Sequence, residues 1–327
     1  MRNYYIFKSG RIRRKENTIF FEYRENGHIS KKSIPVEDIK QIFFFGEVDL
    51  NSKFLDFASH NGIFLHFFNY YGFYTGSFCP RSRNESGYVI VKQVEHYLDY
   101  ERRMKIAKKI VLGALANTRR ILEKRSGFEE AIDKIKYHEN QAKSSQNIIN
   151  LMSHEANAKK IYYSEWERIT GWKFTSREFH PPSNEINALI SFGNSLLYTI
   201  VLKELYLTPL NPTVSYLHEP SEKRYSLSLD LAEIFKPLFV DKLIFKLINR
   251  RKLCKEKHFI SGTKGTFLNE EGRKLFVKNF DEMLTQTILH RQLKRKVKYQ
   301  NLIRLEAYKL LKHILGEKEY KPLKVWW

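Results

Sequence analysis

Four ionisable residues stand where local sequence gives them little reason to be. His218 lies in Tyr216-Leu-His218-Glu-Pro, fifteen positions before Glu233, and Asp230 precedes Glu233 by three. The i, i+3 spacing puts both carboxylates on one face of a helix beginning near Leu227. Pro237 removes the donor that the Glu233 carbonyl would otherwise meet, so a kink or break is expected beside that carboxylate. The fourth, Glu155, falls near the middle of an apolar stripe formed by Ile148, Leu151, Met152, Tyr162 and Trp166, where an acid is costly unless something compensates it. Each also has a bland alternative. Glu155 can pair with Lys159 at i+4, Glu233 can pair with Lys236, Asp230 can cap a helix, and His218 can be a satisfied loop histidine. Glu165 and Glu167 fall off the stripe and read as solvated surface. Taken together, one imidazole and two or three carboxylates form an oxygen-rich donor set that suits Mg2+ or Mn2+ better than a cysteine-bound structural zinc.

The surrounding chain is strongly cationic. Its 57 Lys and Arg against 36 Asp and Glu leave +21, in a sequence of 327 residues that is 42% hydrophobic and 14% aromatic. That apolar fraction excludes a disordered basic tail, so the charge is displayed on folded surfaces and calls for a polyanion, most simply nucleic acid, with an anionic membrane surface as the weaker alternative. A hard divalent ion in such a protein points to phosphodiester chemistry. Basic residues recur in separated patches: Arg102, Arg103, Lys105, Lys108 and Lys109; Arg119-Arg120; Lys124-Arg125; Arg250-Arg251-Lys252; and Arg291 to Lys298, including Lys294 and Arg295. Such spacing implies a long anionic ligand. No Gly-rich phosphate loop, RNA-recognition aromatic motif or zinc-finger spacing suggests base reading. Cys79 and Cys254, 175 positions apart, suggest neither a disulfide framework nor a cysteine zinc site, and fit a reducing cytoplasm.

The elements that must position the four residues follow from periodicity. The length predicts about two domains. Residues 2–45 alternate like strands, Asn26-Gly27 marks a hairpin, residues 51–60 suggest a short helix, and strand patterns return at 63–68 and 72–78. Residues 1–80 therefore read as a small β-rich domain. Residues 81–90 carry the turn and breaker residues of a linker, and 91–327 read as a larger all-helical bundle, an α+β fold whose helical part carries the site. Asn187 to Tyr198 is apolar on nearly every side, the mark of a central bundle helix. The longest apolar run, 189–207, is interrupted by Asn194, Lys203 and Glu204, so it reads as a buried helix with no membrane span. The aromatic tail, Tyr320 to Trp327, can dock on a partner or on its own domain.

Four blocks carry a family resemblance: Asn187-Ala-Leu-Ile-Ser-Phe-Gly193 with Leu196-Leu197-Tyr198; Leu217-His218-Glu219-Pro220; Leu229-Asp230-Leu231-Ala232-Glu233-Ile234-Phe235-Lys236-Pro237; and Asp241-Lys-Leu with Leu247-Ile248-Asn249-Arg250. They resemble the conserved blocks of the CRISPR-associated endonuclease/integrase, the larger of the two universal spacer-acquisition proteins. The resemblance implies a metal triad of Glu155, His218 and Glu233, with Asp230 supporting it. One departure is visible. The family usually continues its first ligand as Glu-Gly-x-Ala-Ala, whereas this chain has Glu155-Ala156-Asn157-Ala158-Lys159; alanine keeps a helix at least as well as glycine. The implied activity is transesterification of a spacer 3′-hydroxyl onto repeat DNA, with cleavage when water attacks instead. The implied partners are double-stranded and branched DNA, a second copy joined through the β domain, and a small ferredoxin-like acquisition protein, in a prokaryotic cytoplasm. Arg102, Arg103, Arg250, Arg251, Arg291, Lys294 and Arg295 then become candidate DNA contacts. Two other readings share the charge argument: a non-catalytic architectural DNA-binding module, and an RNA-processing nuclease.

Overall fold

The computed structural model describes residues 2–81, 84–178, 181–220, 225–262 and 265–326. Met1, Ser82 and Arg83 of the expected linker, the polar bridge at 221–224 and Trp327 of the tail lie outside the described residues. Eight strands open the chain: β1 (Arg2–Ile6), β2 (Gly10–Lys15), β3 (Thr18–Glu25), β4 (His28–Pro35), β5 (Ile39–Phe44), β6 (Val48–Asp49), β7 (Phe64–Phe68) and β8 (Tyr74–Phe78), with α1 (Ser52–His60) between β6 and β7. They form two four-stranded sheets, β4-β3-β2-β6 and β1-β5-β7-β8. Asn26 and Gly27 take φ of +51° and +81° and bring Glu25 opposite His28, the left-handed pair that a two-residue hairpin requires. β5 runs parallel to both β1 and β7 and is buried on both faces. Its alternation divides the core: Ile42 and Phe44 join the cluster with α1, while Phe43, and Phe45 just beyond, join the helices.

The helical part contains α2 (Gly87–Leu98), α3 (Tyr100–Glu123), α4 (Glu129–Ser144), α5 (Ile148–Ser164), α6 (Trp166–Thr170), α7 (Glu185–Tyr206), α8 (Ser226–Lys236), α9 (Lys242–Asn249), α10 (Lys255–His258), α11 (Glu270–Thr285) and α12 (Tyr299–Ile314). The basic segment beginning near Val89 is two helices, because Asp99 turns the chain and caps α3 by accepting the Arg102 N–H at 3.0 Å. This region is mostly rather than wholly helical. Two small hairpins interrupt it, β9 (Phe259–Gly262) with β10 (Gly265–Leu268), and β11 (Thr287–Leu289) with β12 (Lys296–Lys298). Strands of three or four residues are too short for periodicity to reveal.

α7 is the central helix. It is long and apolar enough to cross a membrane, yet 78% of its most apolar stretch is buried within the fold. Gly193 sits at its tightest crossing: a Cβ there would lie 2.6 Å from Val240 and 3.0 Å from Phe276. Pro237 does not break the chain after α8. The sequence Pro237–Asp241 forms one π-helical turn that runs directly into α9, because widening the turn accommodates the missing N–H without ending the helix. Gly193 is what lets α7 press against that turn.

Charged groups tie the sheets to the helices. Glu204 on α7 is fully buried and accepts from Arg304 at 2.7 Å and Gln300 at 2.8 Å on α12, with Lys203 and the β5 residue Lys40 at 3.0 and 3.9 Å. The aromatic tail docks on its own domain. The buried Tyr320 hydroxyl donates to Glu306 at 2.7 Å, and Asn117 on α3 holds the Leu323 carbonyl and the Val325 N–H.

Candidate active site

α5 starts at Asn147, whose side chain accepts the Asn150 N–H at 2.8 Å, and its buried positions are Leu151, Glu155, Ala158 and Tyr162. The register thus carries Glu155 into the core. Met152, expected on the same stripe, is 37% exposed, since it stands furthest round the helix from the stripe's centre. Lys159 pairs with Glu155 at i+4, its Nζ 2.9 Å from Oε1. The same ammonium also reaches Oε2 of Glu233 on α8, at 2.6 Å. The bland pairing of Glu155 and its membership of a site are therefore one arrangement. Glu233 is buried and pairs further with Lys236. Burial alone would raise its pKa, but Lys159 and Lys236 hold it well below the usual carboxylate range. Burial likewise works against the Lys159 charge, and Glu155 and Glu233 reverse that, holding it above the ordinary lysine value.

Asp230 caps no helix. Fully buried, it accepts the backbone N–H groups of Tyr216, Leu217 and His218 at 2.8, 2.9 and 2.9 Å, and lies 2.7 Å from Nδ1 of His218. One carboxylate shapes the loop and aims its imidazole. Engaging Nδ1 leaves Nε2 as the nitrogen open to a ligand. Burial opposes the charged imidazole, but Asp230, with Glu233 in electrostatic reach, raises His218 above its ordinary value.

Arg103 has a role that its basic neighbourhood conceals. Its side chain is only 11% exposed; it donates to the Tyr216 carbonyl at 3.0 Å and to Glu219 at 2.6 Å, and Tyr97 donates to Glu219 as well. It brackets the His218 loop from α3 rather than standing free as a surface cation. A signal was present, since Arg103 shares the face of the buried Ala107, Ile110 and Ala114. Arg102 is exposed and paired with Asp99 at 2.9 Å. Arg250 and Arg251 are exposed at the end of α9, and Arg291, Lys294 and Arg295 are exposed in the β11–β12 loop. Asp241 was legible only as part of a sequence block. It accepts from Tyr162 at 3.1 Å and is pushed up by burial to about 7.

The geometry also defines what a metal ion would meet. Among the described residues no three His, Cys, Asp or Glu side chains are grouped closely enough to hold one ion; a lysine ammonium holds the position between the two glutamates. The donor set nevertheless fits a hard divalent cation. Two buried carboxylates from different helices already converge on one positive charge, and Glu155 Oε1 is buried without a hydrogen bond, an acceptor held by ion pairing alone. The His218 imidazole, in electrostatic reach of Glu233, is fixed through its other nitrogen.

Residues 4–282 match the family described as CRISPR associated protein Cas1. A CRISPR-associated endonuclease Cas1 of Moorella thermoacetica is 55% identical over 327 residues, covering all of both chains. The chain belongs to the Cas1 family. As a family member it is a CRISPR-associated endonuclease. A solved Cas1 protein from Thermotoga maritima is 42% identical, with a TM-score of 0.89 over 97% of this chain and 98% of that one. The Cas1 fold is shared, at 17% identity, with a casposase bound to an integration product, TM-score 0.87 over 98% of this chain and 93% of that one. It is also shared, again at 17%, with a Cas6-RT-Cas1–Cas2 complex chain, TM-score 0.82, of which this chain covers 36% while 98% of its own length is matched.

Proposed function

We propose that this Cas1 protein is a metal-dependent DNA integrase and nuclease whose Glu155, His218 and Glu233 hold Mg2+ or Mn2+. The observation that carries the reading is the convergence of two buried glutamates from α5 and α8 on one cation, with an imidazole anchored by Asp230 in electrostatic reach of Glu233. A divalent ion held there supplies neutralisation of phosphoryl oxygens and activation of an oxygen nucleophile, a spacer 3′-hydroxyl for strand transfer or water for cleavage. The protein's own residues do the positioning. Asp230 fixes the imidazole, Arg103 braces its loop, and Lys236 stays on Glu233 so that the buried carboxylate is never left uncompensated. Exposed Arg102, Arg250, Arg251, Arg291, Lys294 and Arg295 serve the backbone of double-stranded and branched DNA, which needs charge rather than base reading.

The β-rich residues 1–80 serve as the unit joining two copies, residues 81–90 as the linker, of which 87–90 already form the first turn of α2, and residues 91–327 as the catalytic domain. A small ferredoxin-like acquisition protein completes the assembly, in a prokaryotic cytoplasm. The fold shared with a casposase bound to its product is in keeping with strand transfer, and that shared with a Cas1–Cas2 assembly with a small partner. Changing His218 to Ala is expected to abolish Mn2+-dependent strand transfer and cleavage while DNA affinity persists; full activity in that variant would overturn the assignment.

A further inference from the structure

Two histidines face each other where α4 packs against α5. His138 and His154 are half-buried, and their Nδ1 atoms lie 3.2 Å apart, with ring centres at 5.5 Å and planes inclined by 42°. Residues 145–147 alone join the two helices, so both rings stand on one short-looped antiparallel hairpin. The register of α5 explains the meeting. Glu155 turns into the core, and His154, one residue earlier and ~100° round the helix, meets α4 instead. Nearby charge leaves the pair to itself. Of the residues one turn away on either helix, only Lys134 is charged, and it pairs with Glu130 at 2.6 Å; Gln141, Asn150 and Asn157 are neutral carboxamides. Two imidazolium rings could not share so short a contact. Burial and the neighbouring His154 hold His138 below the ordinary histidine value, which keeps a nitrogen lone pair available at neutral pH.

We propose that His138 and His154 form a two-histidine Zn2+ site, with both Nδ1 atoms ligating and water completing the shell. The spacing is that of two ligands on one ion. Zinc–nitrogen bonds of about 2.0–2.1 Å span 3.2 Å at an angle of about 100°, near tetrahedral; the right angle of a square-planar Cu2+ or Ni2+ site would bring the nitrogens to about 2.9 Å. A hydrogen bond between the rings also fits the distance, but it consumes one lone pair and one N–H. The ion uses both lone pairs and places both N–H groups at Nε2, so neither ring gives up a proton. Imidazole nitrogen suits zinc, whereas Mg2+ takes oxygen donors, so this site differs in chemistry from the centre proposed at Glu155, His218 and Glu233 and stands whether or not that reading does. An ion here clasps α4 to α5 one residue before Glu155 and steadies the helix that carries it.

The test is titration calorimetry with zinc chloride on the full-length, untagged protein, stripped of metal with EDTA and exchanged into EDTA-free buffer. The parent is expected to bind one more Zn2+ per chain than His138→Ala, and His218→Ala is expected to keep that ion, so the count separates failure here from failure of the proposed active site. His138→Asp sets a carboxylate oxygen close to where Nδ1 stands and should restore the ion. In the parent, Zn2+ should also slow hydrogen exchange of the α4 and α5 amides, since binding stabilises the hairpin against local opening; His138→Ala should show no such change. Equal Zn2+ counts in the parent and His138→Ala would overturn the proposal and leave the contact a hydrogen bond between two imidazoles. So would loss of the same ion from His218→Ala, because the Zn2+ counted would then belong to the other centre, and so would exchange in α4 and α5 of the parent that Zn2+ leaves unaltered.

Discussion

Replacing Lys159 by methionine removes the ammonium that Glu155 and Glu233 share while keeping most of the side-chain volume. The two carboxylates are 6% and 5% exposed, so neither recovers the lost partner from water. Breaking a buried ion pair from one side costs about 3–5 kcal/mol. Lys236 still serves Glu233, which places the expected loss at the low end, about 3 kcal/mol. An unfolding entropy of about 2 cal/mol/K per residue gives about 0.7 kcal/mol/K for 327 residues, so the metal-free variant should melt about 4 °C below the parent. Manganese reverses the order of response. In the parent an entering ion must displace the ammonium, whereas in the variant it enters a site with two uncompensated carboxylates. At a free concentration 100-fold above its dissociation constant the ion would return about 2.7 kcal/mol to the variant, nearly the whole deficit. Calorimetric melting with and without Mn2+, paired with titration calorimetry, measures both quantities without relying on catalysis. A variant that melts with the parent in EDTA, or that binds Mn2+ no more tightly than the parent, would refute the placement of Lys159 at the cation position.

The remaining predictions concern the supports of the site. Asp230→Asn should retain the fold yet lower Mn2+ affinity or strand transfer ~10–100-fold, the usual effect of losing the partner that orients a ligating histidine; a change below twofold would show that the loop holds His218 unaided. Gly193→Val should lower stability by at least about 1–3 kcal/mol, read as a melting shift, because its side chain must enter the space of Val240 and Phe276. Lys242 is lowered to about 8 by burial and by Lys124, Arg125 and Arg120. Between about 8 and its ordinary 10.5 the unfolded chain binds the extra proton, so this group makes stability rise with pH across that window. Lys242→Met should raise the melting temperature at pH 7 and flatten that rise; an unchanged pH profile would show that the cluster is already neutralised.

Much of the molecule is written locally. Asn26-Gly27 determines a hairpin because few other pairs accept two left-handed residues in succession. The all-round apolarity of Asn187 to Tyr198 identifies the helix that everything else surrounds, and the blocks from Asn187 to Arg250 identify the family. The face of α5 that carries Glu155 inward follows from a period of 3.6 residues. What periodicity cannot supply is the partner across the core. That Lys159 joins α5 to α8, 74 positions away, depends on the crossing of two helices and on nothing near either residue. The same is true of Asp230, which a sequence reading offers as a helix cap and the fold uses to hold three N–H groups of a loop twelve to fourteen positions earlier. Arg103 looks like one of many surface cations until α3 is packed against that loop. Pro237 tells where a helix must yield, but only the pressure of α7 at Gly193 and the continuation into α9 decide that it yields as a π turn. Local chemistry thus determined the elements and the donor types; tertiary packing decided which charges face one another, because burial makes pairing obligatory and sequence distance does not limit it.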